Sequence, residues 1–523
     1  MNFMPNLHRI IACVLMMNGL PVDACTTLII GKKASLEGKT IIARTSDTID
    51  ARRAKNLKIY YDHEGKKSYL GLPYWDLEAD EKNDMAQVAT NANGLSISAT
   101  ETIQSNSEVL ELDPPVYSKN GIEERNIPGI IMPIATTARG AVDILGKAIE
   151  ERGLASNVGF GVLFADKDEA WYLETLSGHQ WVAIKVPEDV YFVAANGPGQ
   201  IQAYSPVDYE YKFSHFNGKT PIQFAIDRGI AKITETKQFN FRETFADVAN
   251  PINPRKNFAR LAYVQHHFNP STQSFDLDTI NKGKFLTFLK PEKKISVVDV
   301  QRIFASHFEE YSDFDPYQRY NKNENERPYY RPIASLNTSN AHVTIVDNPL
   351  SNGDNSLANL EYIALGMPTV SFYIPIYYGI TQIPKPLTEG TNQADIQNEK
   401  LFWQFRRLQS LVFLNDPEKN IPFNPQERMK LIQGSYQALA TEIEQERLEM
   451  EANYKETNDP TLIDNFTEAT VAKVSVLNNQ LIQKLMEQLH ISTKYSLQDE
   501  QAMADWFTTK VREQDCNYKP EHC

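Results

Sequence analysis

The chain has 523 residues, 41% of them hydrophobic and 10% aromatic, enough apolar material to bury a large core and to exclude a globally disordered chain. Lys+Arg 53 against Asp+Glu 67 leaves a formal net charge of −14, which excludes a general nucleic-acid binder, since that needs a basic face. The cysteines, Cys13, Cys25, Cys516 and Cys523, are too few to build a disulfide scaffold in a chain of this length.

Residues 1–24 read as a signal peptide. His8 and Arg9 form a weakly basic start, residues 10–17 are an apolar run, and Asn18, Gly19 and Pro21 loosen the helix. Val22 and Ala24 sit three and one residues before Cys25, the small-residue pattern at a cleavage site. A buried N-terminal helix is the alternative. The run is too short for a stable membrane anchor, and no other stretch approaches the roughly 20 uninterrupted apolar residues of a membrane span. An exported protein, periplasmic or secreted and without an integral membrane span, is expected. Cleavage after Ala24 would remove Cys13 and leave Cys25 as the first residue. Cys516 and Cys523, close together in the tail, would then be placed for a disulfide.

From residue 25 to about 215 the pattern is mainly β. Segments 26–31 and 40–44 form a predicted hairpin, and 57–61, 87–90, 95–99, 160–165, 170–175, 181–186 and 190–195 are further strands. Short turns between several of them predict antiparallel neighbours. Segment 138–153 is helical, with Val142, Leu145 and Ile149 on one face and Thr136 or Thr137 as the cap. Residues 216–420 mix short helices with loops, including the polar stretch 313–332, and carry β-rich segments at 341–347 and 369–380. Segments 425–454 and 462–489 have apolar residues at spacings of three and four, the mark of a long helix pair packed on a domain. This order predicts an α+β fold of two packed antiparallel sheets with helices outside. One large catalytic domain would span 25–420, with a helical C-terminal extension at 421–523 and residues 1–24 as the signal segment.

Common chemical signatures are missing: there is no H-E-x-x-H, C-x-x-C, P-loop or G-x-S-x-G. Gly159-Phe160-Gly161 lacks a third glycine, and the adjacent His266 and His267 point in different directions on any regular element. Neither a metal nor a cofactor is expected. Cys25 differs because of where processing would leave it. An N-terminal cysteine carries a thiol and a free α-amine, whose reference pKa is ~7.7–8.0. That amine can take the thiol proton and return it to the leaving group, with no histidine base. Position alone leaves open whether Cys25 is this nucleophile or a small buried strand residue.

The surrounding motifs add a resemblance. Cys25-Thr26-Thr27, then Arg44-Thr45-Ser46-Asp47, are followed in order by Asn91–Glu101, Asp166–Trp181 and Ala195-Asn196. Arg260–Gln265 with Phe268-Asn269-Pro270, Arg331-Pro332-Ile333, His342 and Pro375–Gly379 complete the series. Over residues 25–405 the chain resembles the C69 dipeptidases, N-terminal-nucleophile hydrolases related to the choloylglycine hydrolases and penicillin V acylases. The resemblance implies a four-layer αββα fold with Cys25 at the start of an inner strand. It implies a dipeptide substrate cleaved through an acyl-enzyme on Cys25.

Carried over residue by residue, Arg44 would lie beside the thiol and lower its pKa. Asp47 would hold the α-amine of Cys25 or of the substrate, and Asn196 would donate to the oxyanion. Arg260 would complete the polar wall, with Arg255 as a neighbouring rival. On the plainer reading Arg44 and Asp47 form an ordinary surface pair and Asn196 serves the turn before Gly197-Pro198. Where bile-salt-type relatives present a second oxyanion asparagine, this chain has Thr100-Glu101. A carboxylate cannot donate unless protonated, so Glu101 is expected to bind the substrate's ammonium, which favours a dipeptidase. Two alternatives stand beside it. One is an N-acyl amide hydrolase of the same fold. The other is a lipid-anchored binding protein with Cys25 lipidated, against which stand Asp23 and the absence of a flexible tether. The sequence leaves a homo-oligomer open.

Overall fold

The computed structural model describes residues 25–47, 55–72, 87–118, 120–317, 330–388, 400–414 and 421–491. The expected signal segment with Cys13, the Cys516–Cys523 pair and residues 318–329 of the polar stretch lie outside the described residues.

β-Branched and aliphatic runs bounded by turns form the strands. In chain order they are β1 Thr26–Ile30, β2 Thr40–Asp47, β3 Lys58–Tyr61, β4 Lys67–Leu72, β5 Val88–Asn91, β6 Ser96–Gln104 and β7 Val158–Ala165. Then come β8 Ala170–Thr175, β9 Trp181–Val186, β10 Tyr191–Ala194, β11 Tyr211–Phe213, β12 Thr338–Val346, β13 Asn359–Leu365 and β14 Ile374–Tyr377. A six-stranded sheet runs β10-β1-β2-β12-β13-β14, and an eight-stranded sheet runs β11-β9-β8-β7-β6-β5-β4-β3. The strand pairings within both are antiparallel.

β1 and β2 are buried along their whole length, because each sheet is covered on both faces. Between the sheets Ile29 and Ile42 meet Leu163, Tyr172, Val182 and Phe192. On the outer face of the six-stranded sheet Leu28, Ile30, Ile41 and Ala43 pack on residues of the helices Ala259–Phe268 and Val297–Phe304. On the other outer face Ile97, Phe160, Val162 and Leu173 pack on Val142, Leu145 and Ile149 of helix Ala138–Arg152. That helix is capped by Thr137, whose side chain accepts from Gly140 N at 3.1 Å. The order is helix, sheet, sheet, helix: the four αββα layers expected.

Some elements escaped the sequence pattern. β4 contains a glycine and opens with Lys67-Ser68, and β13 carries a buried Glu361 among apolar residues. Helix Leu401–Phe413 is buried almost all round, so it shows no polar face to set a period. Segment 369–380 yields only the four residues of β14, preceded by a 3₁₀ turn at Pro368–Val370. Helices Pro425–Thr457 and Thr461–Gln488 run antiparallel: Lys473 bonds Glu442 and Glu446, and Tyr436 Oη bonds Asn478 Oδ1. Ile432, Tyr436, Ile463 and Val474 share one core with Ile363, Ile374, Phe405 and Leu408, so the pair is packed onto the end of the six-stranded sheet. Among the described residues no helix is long and apolar enough to cross a membrane.

Candidate active site

Strand register builds the site. Thr27 lies opposite Arg44, and Arg44 opposite His342. Side chains alternate along a strand, and Ile29 and Ile42 face the space between the sheets. Cys25, Thr27 and Arg44 therefore face that space too. Thr27 also pairs with Ala194 of β10; continuing that register two residues brings Asn196 level with Cys25.

Asn196 Oδ1 accepts the backbone N–H of Cys25 at 2.7 Å. Arg260 is fully buried, on the helix that packs under β1. Its Nη1 donates to Cys25 O at 2.6 Å and to Thr26 Oγ1 at 2.9 Å, and its Nη2 donates to Asn196 Oδ1 at 3.0 Å and to Asn257 Oδ1 at 3.1 Å. Arg255 contributes its backbone carbonyl, which accepts from Arg331 N at 2.9 Å. Of the two arginines considered from sequence, it is Arg260 that grips Cys25. A π-helical turn, Pro254–Phe258, precedes this helix, a distortion common at functional sites.

On the other side of Cys25, Arg44 Nη1 donates to Glu124 Oε1 at 2.9 Å, and both side chains are buried. Glu124 also accepts from Gln87 Nε2 at 3.3 Å and Glu101 N at 3.0 Å. Among the described residues Arg44 Nε and Nη2 have no hydrogen-bond partner. Buried guanidinium donors left unpaired are costly, and an anion formed beside Arg44 would relieve that cost. Sequence reasoning missed Glu124. It lies on a short 3₁₀ turn, Glu124–Asn126, within a charged run that carries no periodicity.

Cys25 is 4% exposed, and burial pushes the pKa of its thiol up to about 11. Arg44 pulls it down, Glu124 and Asp47 push it up, and the Thr100 hydroxyl lowers it. Arg44 therefore acts in the direction expected, but desolvation outweighs it, and with residues 1–24 attached the thiol is protonated at neutral pH. In that chain the nitrogen of Cys25 is a peptide nitrogen attached to Ala24, not an amine.

Asp47 ends β2. Its Oδ2 accepts from Arg331 Nη2 at 3.0 Å and its Oδ1 from Thr338 Oγ1 at 2.5 Å. Burial raises its pKa against the pull of Arg331, Thr338 and Arg260. Asp47 was expected to hold the α-amine of Cys25 or of the substrate; here the peptide nitrogen of Cys25 is bonded to Asn196 Oδ1, and the Asp47 carboxylate is held by Arg331 and Thr338. Glu101 is half-buried, and its Oε1 accepts from Ser156 Oγ at 3.0 Å. The carboxylate bonded to Arg44 belongs to Glu124 and not to Glu101. His342 is fully buried, with Nε2 on Ser98 Oγ at 2.9 Å and Nδ1 on Thr344 Oγ1 at 3.0 Å. Burial, with Arg44 nearby, holds its pKa well below the usual imidazole range. His266 Nδ1 bonds Gln273 O at 2.7 Å, and no group of three or more metal-ligating side chains gathers among the described residues.

Two antiparallel sheets between helices, with a cysteine heading an inner strand and held by an asparagine and an arginine, define the N-terminal-nucleophile hydrolase fold. The sequence profile of peptidase family C69 matches residues 24–416, and the chain belongs to that family. A probable dipeptidase of Salmonella dublin is 36% identical over 377 residues, covering 69% of this chain and 82% of that protein. A dipeptidase of Bifidobacterium longum is 27% identical over 430 residues, covering 74% and 77%. A solved structure, the Caenorhabditis elegans ortholog of N-acylethanolamine-hydrolyzing acid amidase, aligns at 11% identity and a TM-score of 0.21 over 50% of this chain and 85% of its own.

Proposed function

We propose that this protein is an exported dipeptidase, periplasmic or secreted, whose nucleophile is the thiol of Cys25, freed at the N-terminus by cleavage after Ala24. The observation that carries this reading is the grip on Cys25: its N–H on Asn196 Oδ1 at 2.7 Å and its C=O on Arg260 at 2.6 Å. Both partners are side chains from distant segments, where an ordinary strand residue would use the backbone of a neighbouring strand. Relatives named as dipeptidases, covering 69% and 74% of the chain, point the same way.

Cleavage would turn the nitrogen beside Asn196 into an amine while the thiol stays fixed. The amine takes the thiol proton, and the unpaired donors of Arg44 meet the resulting thiolate. The thiolate attacks the scissile carbonyl carbon, and the carbonyl oxygen becomes an oxyanion. Asn196 Nδ2, the other half of the amide that holds Cys25 N, donates to it. The ammonium of Cys25 then protonates the leaving amine as the C–N bond breaks. Water, deprotonated by the same amine, hydrolyses the thioester and restores the thiol. Arg44, Glu124, Asp47 and Arg331 give the site a charged lining, which suits a zwitterionic dipeptide better than the apolar acyl chain of an N-acyl amide. Glu101, one residue from Thr100, would receive the substrate's ammonium, as the sequence suggested.

The test is Cys25→Ala in a form whose leader is still removed. Loss of dipeptide hydrolysis supports the reading; retained hydrolysis overturns it. A wild-type preference for N-acyl amides over dipeptides would overturn the substrate assignment.

A further inference from the structure

Asn196 sits on a loop, Asn196-Gly197-Pro198-Gly199-Gln200-Ile201, that leaves β10 and touches β6 through an isolated bridge between Gly197 and Ile103. We propose that Glu174, on the opposite sheet, is a positioning residue that fixes this loop and so sets the orientation of the Asn196 amide in the transition state. The inference rests on the reading of Asn196 as the oxyanion donor.

Glu174 belongs to β8 and is fully buried. Its Oε2 accepts from Gln200 N at 2.8 Å and its Oε1 from Ile201 N at 3.2 Å. One carboxyl group thus accepts from two successive backbone N–H groups across the gap between the sheets; burial pushes its pKa up to about 8, against the pull of those N–H groups and of Arg242. Arg242 is a neighbouring cation, but its Nη2 donates to Gly283 O at 3.1 Å and its Nε has no partner. The hydrogen bonds of the carboxylate go to the loop.

The loop sequence is shaped for this approach. A Cβ on Gly199 would lie 2.5 Å from Glu174 Oε1, so any side chain there would drive the carboxylate away. At the other end Gly197 has φ +98°, and a Cβ on it would come within 2.4 Å of Asn257 Nδ2 and 2.6 Å of Asn253 Oδ1. Its N–H donates to Thr102 O at 2.9 Å, and its C=O accepts from Gln104 N at 2.9 Å. Asn257 in turn receives Arg260 Nη2. The loop is fixed near Asn196 by β6 and Asn257, and at its far end by Glu174. A buried carboxyl is an expensive way to hold a loop, and an amide would present one acceptor oxygen where the carboxyl presents two, one to each N–H.

Glu174→Gln turns one of these contacts into a donor facing a donor and keeps the shape. In the processed enzyme it should lower kcat about 10- to 100-fold with KM within about threefold, since small misplacement of a catalytic donor costs rates of this order. Affinity for a dipeptide aldehyde, which adds reversibly to the Cys25 thiol and presents an oxyanion-like oxygen, should fall by the same factor. Gly199→Ala, which attacks the same contact from the loop side, should reproduce the pattern. Active-site titration with an irreversible thiol reagent separates this from poor folding, because the loss is expected per titrated site. An unchanged kcat per site in both variants, or a loss confined to KM, would overturn the role of Glu174. If Cys25→Ala is inactive while both variants match wild type, the nucleophile reading survives and the loop clamp does not.

Discussion

The side-chain oxygen of Asn196 accepts the backbone N–H of Cys25 at 2.7 Å across 171 residues of chain. One amide group therefore touches the atom that processing would convert into the catalytic base, and it carries on its other half the donor proposed for the oxyanion. β10 brings the two together by pairing with β1, and Arg260 bonds both residues. Nucleophile, base and oxyanion donor would share one rigid corner of the six-stranded sheet.

Asn196→Ala should lower kcat by about 10²–10³ with little change in KM, the usual loss for one oxyanion donor. Steady-state kinetics on a dipeptide check this. A rise in KM alone would assign Asn196 to substrate binding.

Arg44 and Glu124 form a buried pair. Arg44→Met strands the carboxylate, and removing one partner of such a pair typically costs about 3–5 kcal/mol. Arg44→Met/Glu124→Leu should recover much of that stability in urea melts while remaining inactive, because no cation then faces the thiolate. Activity in the double variant would show that Arg44 serves packing alone.

In the full chain of 523 residues the Cys25 thiol is pushed from 9.0 up to about 11, chiefly by burial. Between these values an unfolded chain loses the proton that the folded chain keeps, so fold stability should decline as pH rises from 9 to 11. Alkylation of Cys25 by iodoacetamide, followed by peptide mass mapping, should likewise rise toward pH 11 in the folded unprocessed chain. A midpoint near or below 8 would contradict the burial described.

Glu361 on β13 is buried, and burial alone pushes its carboxyl up to about 8, with Oε1 unpartnered. Its folded-state pKa is raised, so its contribution to stability is fullest at low pH and is lost as pH rises through about 8. Glu361→Gln should therefore raise the melting temperature at pH 8 and change it less at pH 5, with a gain on the order of 1–3 kcal/mol at the higher pH. Thermal melts at the two pH values read this directly.

Elements whose own side chains announce them were legible in the sequence. β8 and β9 fall where apolar runs meet turns, and helix Ala138–Arg152 shows its apolar face and its Thr137 cap. β13 was hidden because its buried Glu361 looks like a surface residue, and helix Leu401–Phe413 because burial on all sides erases its period. In the site, the motifs pointed to Cys25, Arg44, Asn196 and Arg260, which the fold brings together. Glu124 stands 80 residues from Arg44 in a segment with no pattern, so only the packing of the 3₁₀ turn against β6 reveals it. The sign of Arg44's effect on the thiol followed from charge, but its defeat by burial depends on the surrounding core. Glu174 was visible only as one residue of the Asp166–Trp181 segment, and its grip on the loop belongs to tertiary structure.

The mass of the N-terminal peptide, taken from active enzyme quenched during turnover of a dipeptide, tests the central claim most directly. The account predicts a peptide that begins at Cys25 and carries the acyl half of the substrate in part of the population. Full activity from protein whose N-terminal peptide still contains Ala24, or whose Cys25 bears a diacylglyceryl group, would contradict it.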